Sequence, residues 1–412
     1  MKISSVRDKI VNFIRSIDDR FYENAKQTRV LFVYVNSHGF SCQVPVIEAL
    51  AKASDIRLHI TTDKAYVVDE SNFNNINEYD IFKRYYIPYS RAVYKKWHLF
   101  IDSHINSFYP KRNALHIGMH HGPGFGIMGK KIKLVKNYDI FFGLSHAERI
   151  HFEKLEPGIF DQKRAFFPTG FPKSDILVNK SHSRQEVRQE LMLNERATIL
   201  IASHWETVST LRTFGHNIFE ILCKTFPEYN IVQTGHPWLW EGYQQTPTSH
   251  ADLVKELKAI QNRFTNAYFL PDENTEKLLQ ASDLLISDHS SILTTYSLLD
   301  RPIIWFENPK LNFSIPDMRD IYRGASDTFN NIDKLPDLCR HTLAKPEEKA
   351  NGRKVMRETY FANPGNSGQK AAEMLCKIGS TCSTKSSRWQ SVINESCKPS
   401  SDSQPVTLTN DQ

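Results

Sequence analysis

Short apolar, β-branched runs alternate along this chain with longer stretches in which apolar residues recur every third or fourth position. Val30-Leu31-Phe32-Val33-Tyr34-Val35 is followed by Asn36-Ser37-His38-Gly39 and then by Val44, Ile47, Leu50 and Ala51. That order reads as strand, loop and helix, the opening of a βαβ unit. Further runs over 56–61, 98–102, 114–119 and 138–144 predict the strands of an open, mostly parallel sheet. A second series predicts strands over 198–202, 229–233, 267–270, 283–287 and 302–306, with helices near 210–225, 251–262 and 274–281. Residues 183–194 predict a helix entered through a capping box at Ser183 and Glu186, and two late helices are expected over 346–358 and 366–377. The fold class is therefore α/β, with two doubly wound Rossmann-like domains facing a cleft.

The two ends of the chain read differently. Ile3, Val6, Ile10, Phe13, Ile14, Ile17 and Phe21 fall at helical spacing, with Arg7, Lys9, Arg15 and Arg20 between them. This predicts an amphipathic helix within 1–28, which could lie on a membrane surface. Asp8, Asp18 and Asp19 dilute its basic face, which favours packing on its own domain. The domains are expected at 29–175 and 176–378. From Gly379 onward Ser, Thr, Lys, Asn and Gln dominate, so 379–412 reads as a disordered tail.

Composition narrows the function classes. The chain has 412 residues, 40% of them hydrophobic, enough for two cores. Its 52 Lys+Arg against 46 Asp+Glu give a net charge of +6, which suits anionic ligands or an anionic membrane surface. With no dense basic run, it does not indicate nucleic-acid binding. Cys42, Cys223, Cys339, Cys376, Cys382 and Cys397 form neither a C-x-x-C pair nor a zinc spacing, which fits a reducing compartment. No apolar segment reaches signal-peptide or membrane-span length, so a cytoplasmic protein is expected.

Four stretches carry candidate chemistry. His116-Ile-Gly-Met-His120-His121-Gly122-Pro-Gly124-Phe-Gly126 follows a predicted strand. Its glycines let a ligand approach the backbone, and a histidine there can move a proton near neutral pH. A metal on His116, His120 and His121 is disfavoured, because strand-to-loop sequence does not put residues four apart on one face. Phe167-Pro168-Thr169-Gly170-Phe171-Pro172-Lys173-Ser174-Asp175 marks a sharp turn whose lysine could reach a phosphate, or simply an interdomain loop. In Gln233-Thr234-Gly235-His236-Pro237-Trp238 the proline ends strand pairing and leaves His236 at a sheet edge. Ser287-Asp288-His289-Ser290-Ser291 stands where strand becomes helix, and unpaired N–H groups with two hydroxyls make such a junction a phosphate seat, or only a helix cap.

In this order, and with Leu299-Asp300-Arg301-Pro302-Ile303-Ile304 after them, the four stretches resemble the CDP-glycerol glycerophosphotransferase family, the teichoic-acid primases and polymerases. The resemblance covers roughly residues 110–310 by motif and implies the GT-B fold, with an acceptor-side first domain and a nucleotide-donor second domain. It also implies transfer of glycerol phosphate from CDP-glycerol, or a related nucleotide donor, to a polymer or lipid-linked acceptor at the inner face of the cell membrane. His121 would be the general base, with His236 as a second catalytic histidine. His236, Ser290, Ser291 and Asp288 would hold the donor's pyrophosphate, with Lys173 standing where the family commonly has Arg and with His120, Gly122 and Gly170 in support. The scheme requires no metal or other cofactor. Three positions depart from the family's pattern. Ser203-His204-Trp205-Glu206 stands where Pro-Thr-Trp-Arg is usual, Asp288-His289-Ser290-Ser291 replaces Asp-Tyr-Ser-Ser, and Pro123-Gly124-Phe125 replaces a Thr-Pro continuation. The same phosphate seat would serve a GT-B glycosyltransferase that uses a nucleotide sugar, or a nucleotide-binding protein without activity.

Overall fold

The computed structural model describes residues 3–23, 27–63, 79–103, 114–123, 132–161, 163–179, 183–241, 250–271, 274–313, 317–379, 381 and 386–398. The chain forms two compact units, one of Met1–Gly122, Gly129–Asp175 and Phe361–Gln412, the other of Pro123–Met128 and Ile176–Tyr360. Each is built on a six-stranded sheet in which every pairing is parallel. Parallel pairing requires crossovers, and helices supply them, so both sheet faces are covered and the central strands are apolar throughout.

In the first unit the strands are β1 (Thr28–Tyr34), β2 (Ile56–Thr62), β3 (Leu99–Asp102), β4 (Leu115–Met119), β5 (Ile140–Gly143) and β6 (Ala165–Pro168), in the order β2-β1-β3-β4-β5-β6. The winding reverses between β1 and β3, where the carboxyl ends of neighbouring strands part. In the second unit β7 (Thr198–Ser203), β8 (Asn230–Gly235), β9 (Ala267–Phe269), β10 (Leu284–Ser287), β11 (Ile303–Phe306) and β12 (Asp327–Phe329) lie in the order β12-β11-β10-β7-β8-β9. Here the reversal falls between β7 and β10.

Ten of these strands lie where the apolar runs predict them. The exceptions, β6 and β12, are short edge strands: β6 runs into Pro168, and β12 is half exposed, so neither shows a buried β-branched run. The helix expected over 210–225 is two, Thr210–Phe214 and Asn217–Thr225. Gly215 separates them at φ 60° and ψ −147°, a conformation open only to glycine.

The end of the chain corrects two expectations. Residues 361–378 belong to the first unit, because Ala371, Ala372, Leu375 and Ile378 of the helix Ser367–Ile378 pack into its core with β1 and β4 residues. The reading of 379–412 as disordered fails for 386–398. A helix over Trp389–Ser396 buries Trp389, Val392 and Ile393 in the same core. Each such side chain contributes about 1.5–3 kcal/mol, enough to hold a polar-looking segment. Residues 399–412 lie outside the described residues.

The helix Ile3–Glu23 is present as the spacing predicts. Asp18 ties it to the first unit, accepting from Arg29 Nη1 at 2.9 Å and from the Lys96 N–H at 2.6 Å. Ile10, Phe13, Ile14, Ile17 and Phe21 are nevertheless exposed, Phe13 by 65% and Phe21 by 69%. The helix does not bury its apolar stripe against its own domain, contrary to the favoured reading.

Candidate functional site

In the first unit the carboxyl ends of β1, β3 and β4 supply His121 and its neighbours, and the turn after β6 supplies Gly170 and Lys173. After β1, Asn36 caps the helix Ser37–Leu50 by accepting the Gly39 N–H at 2.7 Å. After β3, Ser103 donates to the Gly39 carbonyl at 2.7 Å and accepts from Gln43 Nε2 at 3.0 Å, which locks the two loops together. After β4, His121 places Nδ1 2.9 Å from the Ser103 carbonyl, and its ring lies 6.0 Å from that of His38. A carbonyl can only accept, so Nδ1 carries the proton and Nε2 of the neutral ring keeps a lone pair. That is the tautomer a general base needs.

The neighbouring histidines have other work. His120 is buried with Nε2 2.6 Å from Glu148 Oε1, while Glu148 Oε2 accepts the Leu144 N–H at 2.7 Å. This pair braces the β4 loop against the β5 loop. His116 Nε2 lies 2.6 Å from Asp102 Oδ2, and Tyr138 donates to the other oxygen of that carboxylate at 2.8 Å. The three histidines thus address three separate partners and do not form one metal centre. Gly122 follows in the same loop, and Gly124 and Gly126 lie outside the described residues.

The Thr169–Asp175 stretch is more structural than its sequence suggests. Gly170 has φ +96°, and a Cβ there would meet the Ala362 carbonyl oxygen at 2.0 Å. Asp175 accepts the N–H groups of Ser367 and Gly368 at 3.0 and 2.8 Å, and burial raises its pKa despite those bonds. The turn therefore clamps the returning chain at the start of the helix Ser367–Ile378. Lys173 sits within it, half-buried, in the first unit.

In the second unit the loops after β7, β8 and β10 flank the winding reversal. Asp288 is 1% exposed, and its carboxylate accepts from Ser203 Oγ, the His204 N–H, the N–H and Oγ1 of Thr210 and the Ser290 N–H, all at 2.9–3.1 Å. An anion so fully used does not bind phosphate. Asp288 instead fixes the loops that would, which corrects its assignment as a direct ligand. Ser290 caps the helix Ser291–Tyr296, and its Oγ accepts the Ile292 N–H at 3.4 Å. Ser291 is the first helical residue.

His236, after β8, accepts the Trp238 N–H on Nδ1 at 3.2 Å. Burial lowers its pKa to about 4, so at neutral pH it is uncharged and Nε2–H is its donor. It is suited to holding a phosphate oxygen rather than to removing a proton. Its ring lies 5.7 Å from His204 and 5.1 Å from Trp238, and Trp205 meets Trp238 edge-on at 5.0 Å.

One group was not singled out from sequence. His204, Glu206 and His289 bring ligand-type atoms within 4.8 Å of one another. His289 Nε2 is 3.0 Å, and His204 Nδ1 3.9 Å, from Glu206 Oε2. The His204 pKa falls to about 3, through burial first and then the charge of the His289 ring. The available signal was that these three residues stand at the departures from the family's pattern. Glu206 also lines a cavity of about 380 Å³ with Trp205, Thr207, Val208, Lys310, Leu311 and Asn312.

Known proteins resemble this chain in sequence and in fold. Teichoic acid ribitol-phosphate primase of Bacillus spizizenii is 24% identical over 270 residues, covering 61% of this chain, and the chain spans 63% of that relative's length. The wall teichoic acid polymerase TagF has a TM-score of 0.60 at 16% identity, with 92% of this chain and 99% of that chain covered. Another structure of that polymerase was obtained after a soak with CDPG. A putative UDP-N-acetylglucosamine 2-epimerase from Listeria monocytogenes gives 0.54 at 13% identity, over 86% of this chain and 96% of that one. At these identities the structures establish a shared two-sheet, GT-B-type fold. The sequence pattern of the CDP-glycerol:poly(glycerophosphate) glycerophosphotransferases matches residues 19–322, and the chain belongs to that family.

Proposed function

We propose that the protein transfers glycerol phosphate, or a related polyol phosphate, from a CDP-activated donor to a hydroxyl of a polymer or lipid-linked acceptor in cell-envelope synthesis. Family membership and the likeness to a ribitol-phosphate primase support this reading. The observation that carries it is the His121 Nδ1 bond to the Ser103 carbonyl, which leaves Nε2 able to take a proton.

In the proposed reaction the acceptor oxygen attacks the phosphorus bonded to the polyol. The bridging P–O bond breaks, CMP leaves, and the acceptor's proton passes to His121 Nε2. Ser290, Ser291 and His236 hold the pyrophosphate as donors and Lys173 supplies positive charge, because phosphoryl transfer needs mainly alignment and neutralised charge. Incubation with CDP-glycerol, CDP-ribitol and several UDP-sugars tests the donor class. CMP release from a CDP-polyol is expected, and UDP release alone would replace this reading with nucleotide-sugar transfer.

The exposed stripe of Ile10, Phe13, Ile14, Ile17 and Phe21 supports peripheral contact with the inner face of a membrane. Among the described residues no helix is long and apolar enough to cross one.

A further inference from the structure

A carboxylate at the end of β7 is the wrong charge beside a pyrophosphate seat. Glu206 stands there, its Oε2 3.0 Å from His289 Nε2, and His289 immediately precedes Ser290 and Ser291. A carboxylate there adds negative charge beside the donor's phosphates. Two imidazoles on the same carboxylate suggest what offsets that charge. Two His and one Glu are the protein ligands of an open Zn²⁺ site, in which the remaining position takes water or substrate.

The local geometry fits such a site in three ways. First, in a tetrahedral zinc site with bonds of 2.0–2.2 Å the ligand atoms lie roughly 3.3–3.6 Å apart. Here the histidine nitrogens lie 3.0 and 3.9 Å from Glu206 Oε2, so small side-chain rotations suffice. Second, His204 Nδ1 accepts the Glu206 N–H at a long 3.3 Å, so its lone pair is already on the nitrogen that faces Glu206. Third, His289 is 1% exposed at its side chain, and its Nδ1 has no hydrogen-bond partner. That buried orphan lies 3.9 Å from Asp288 Oδ1. If Nε2 binds a metal, Nδ1 carries the proton, which favours the buried side with a carboxylate 3.9 Å away.

We propose that His204, Glu206 and His289 bind a divalent transition-metal cation of the Zn²⁺ class, whose open position takes an oxygen of the donor's pyrophosphate. This inference rests on the transfer reading for the phosphate it serves, but not for the metal site itself. The cation adds positive charge at the position where the family's usual pattern has Arg and this chain has Glu206.

The test begins with full-length protein stripped by a chelator and then dialysed against Zn²⁺ alone. One equivalent should be retained, and Co²⁺ should give the visible absorption of a four-coordinate site. Glu206→Gln and His289→Ala should each weaken retention by more than about tenfold. Circular dichroism of each stripped variant checks folding, and His204→Asn serves if either fails to fold. No stoichiometric uptake, or uptake unchanged in the variants, overturns the proposal. Failure of the transfer reading looks different: intact, variant-sensitive Zn²⁺ binding in a protein that releases CMP from no donor.

Discussion

Single residues decide more here by the atoms they satisfy than by their type. His98 Nδ1 accepts the Arg29 N–H at 2.9 Å, a bond that protonation would destroy. Burial, then the charges of Arg29 and Lys96, lower its pKa to about 4, and burial with Arg57 does the same for His59. Both pKa values are depressed from 6.5, so the stabilisation is complete above pH 6.5 and is lost as pH falls toward 4. Urea unfolding at pH 7 and pH 5 should therefore differ by about 1 kcal/mol per histidine, discounted for residual solvent contact. His98→Gln keeps an acceptor for Arg29 and should remove part of that difference. Gly170 is a second such position. Gly170→Ala adds a left-handed strain and a clash with the Ala362 oxygen, and should lower stability by about 3 kcal/mol in the same measurement. From sequence, residues 167–175 read as a sharp turn whose lysine could reach a phosphate, or as an interdomain loop, since the helix that Gly170 and Asp175 clamp lies almost two hundred residues away and no local pattern announces it.

Elements were legible where burial was continuous. Fully buried strands such as β1, β7 and β10 declare themselves by unbroken apolar runs. The edge strand β12 and the helix Trp389–Ser396 do not, because only some of their residues meet a core. The helix Ile3–Glu23 is the reverse case, an element whose pattern was clear and whose partner was not. Its exposed apolar stripe makes a testable demand. The full chain should co-sediment with phosphatidylglycerol vesicles, and the double change Phe13→Ser with Phe21→Ser should weaken binding by roughly tenfold or more. Binding that is equal for the double variant would remove the membrane role from this helix.

At the scale of the molecule, both sheets place candidate residues at strand carboxyl ends, His121 and the 287–291 stretch near a winding reversal and Lys173 after the edge strand β6. That is why a fold read from apolar periodicity already pointed to strand carboxyl ends as candidate positions. Periodicity could not show which polar residue binds and which only braces. Asp288, His120 and His121 look alike in sequence as polar residues after strands. The first is consumed by loop donors, the second by Glu148, and the third is set by one carbonyl in the tautomer of a base. The His204, Glu206 and His289 group was unreadable for a related reason, since it joins two strand ends that are 83 residues apart at Glu206 and His289.

The central claim is that His121 takes the acceptor's proton during transfer from a CDP-polyol. Its most direct test is the rate of CMP release from CDP-glycerol or CDP-ribitol, with acceptor present, by the wild type and by His121→Ala at equal donor occupancy. The account predicts a loss of about 10²–10⁴-fold in kcat with donor affinity retained. An unchanged kcat in His121→Ala would contradict it.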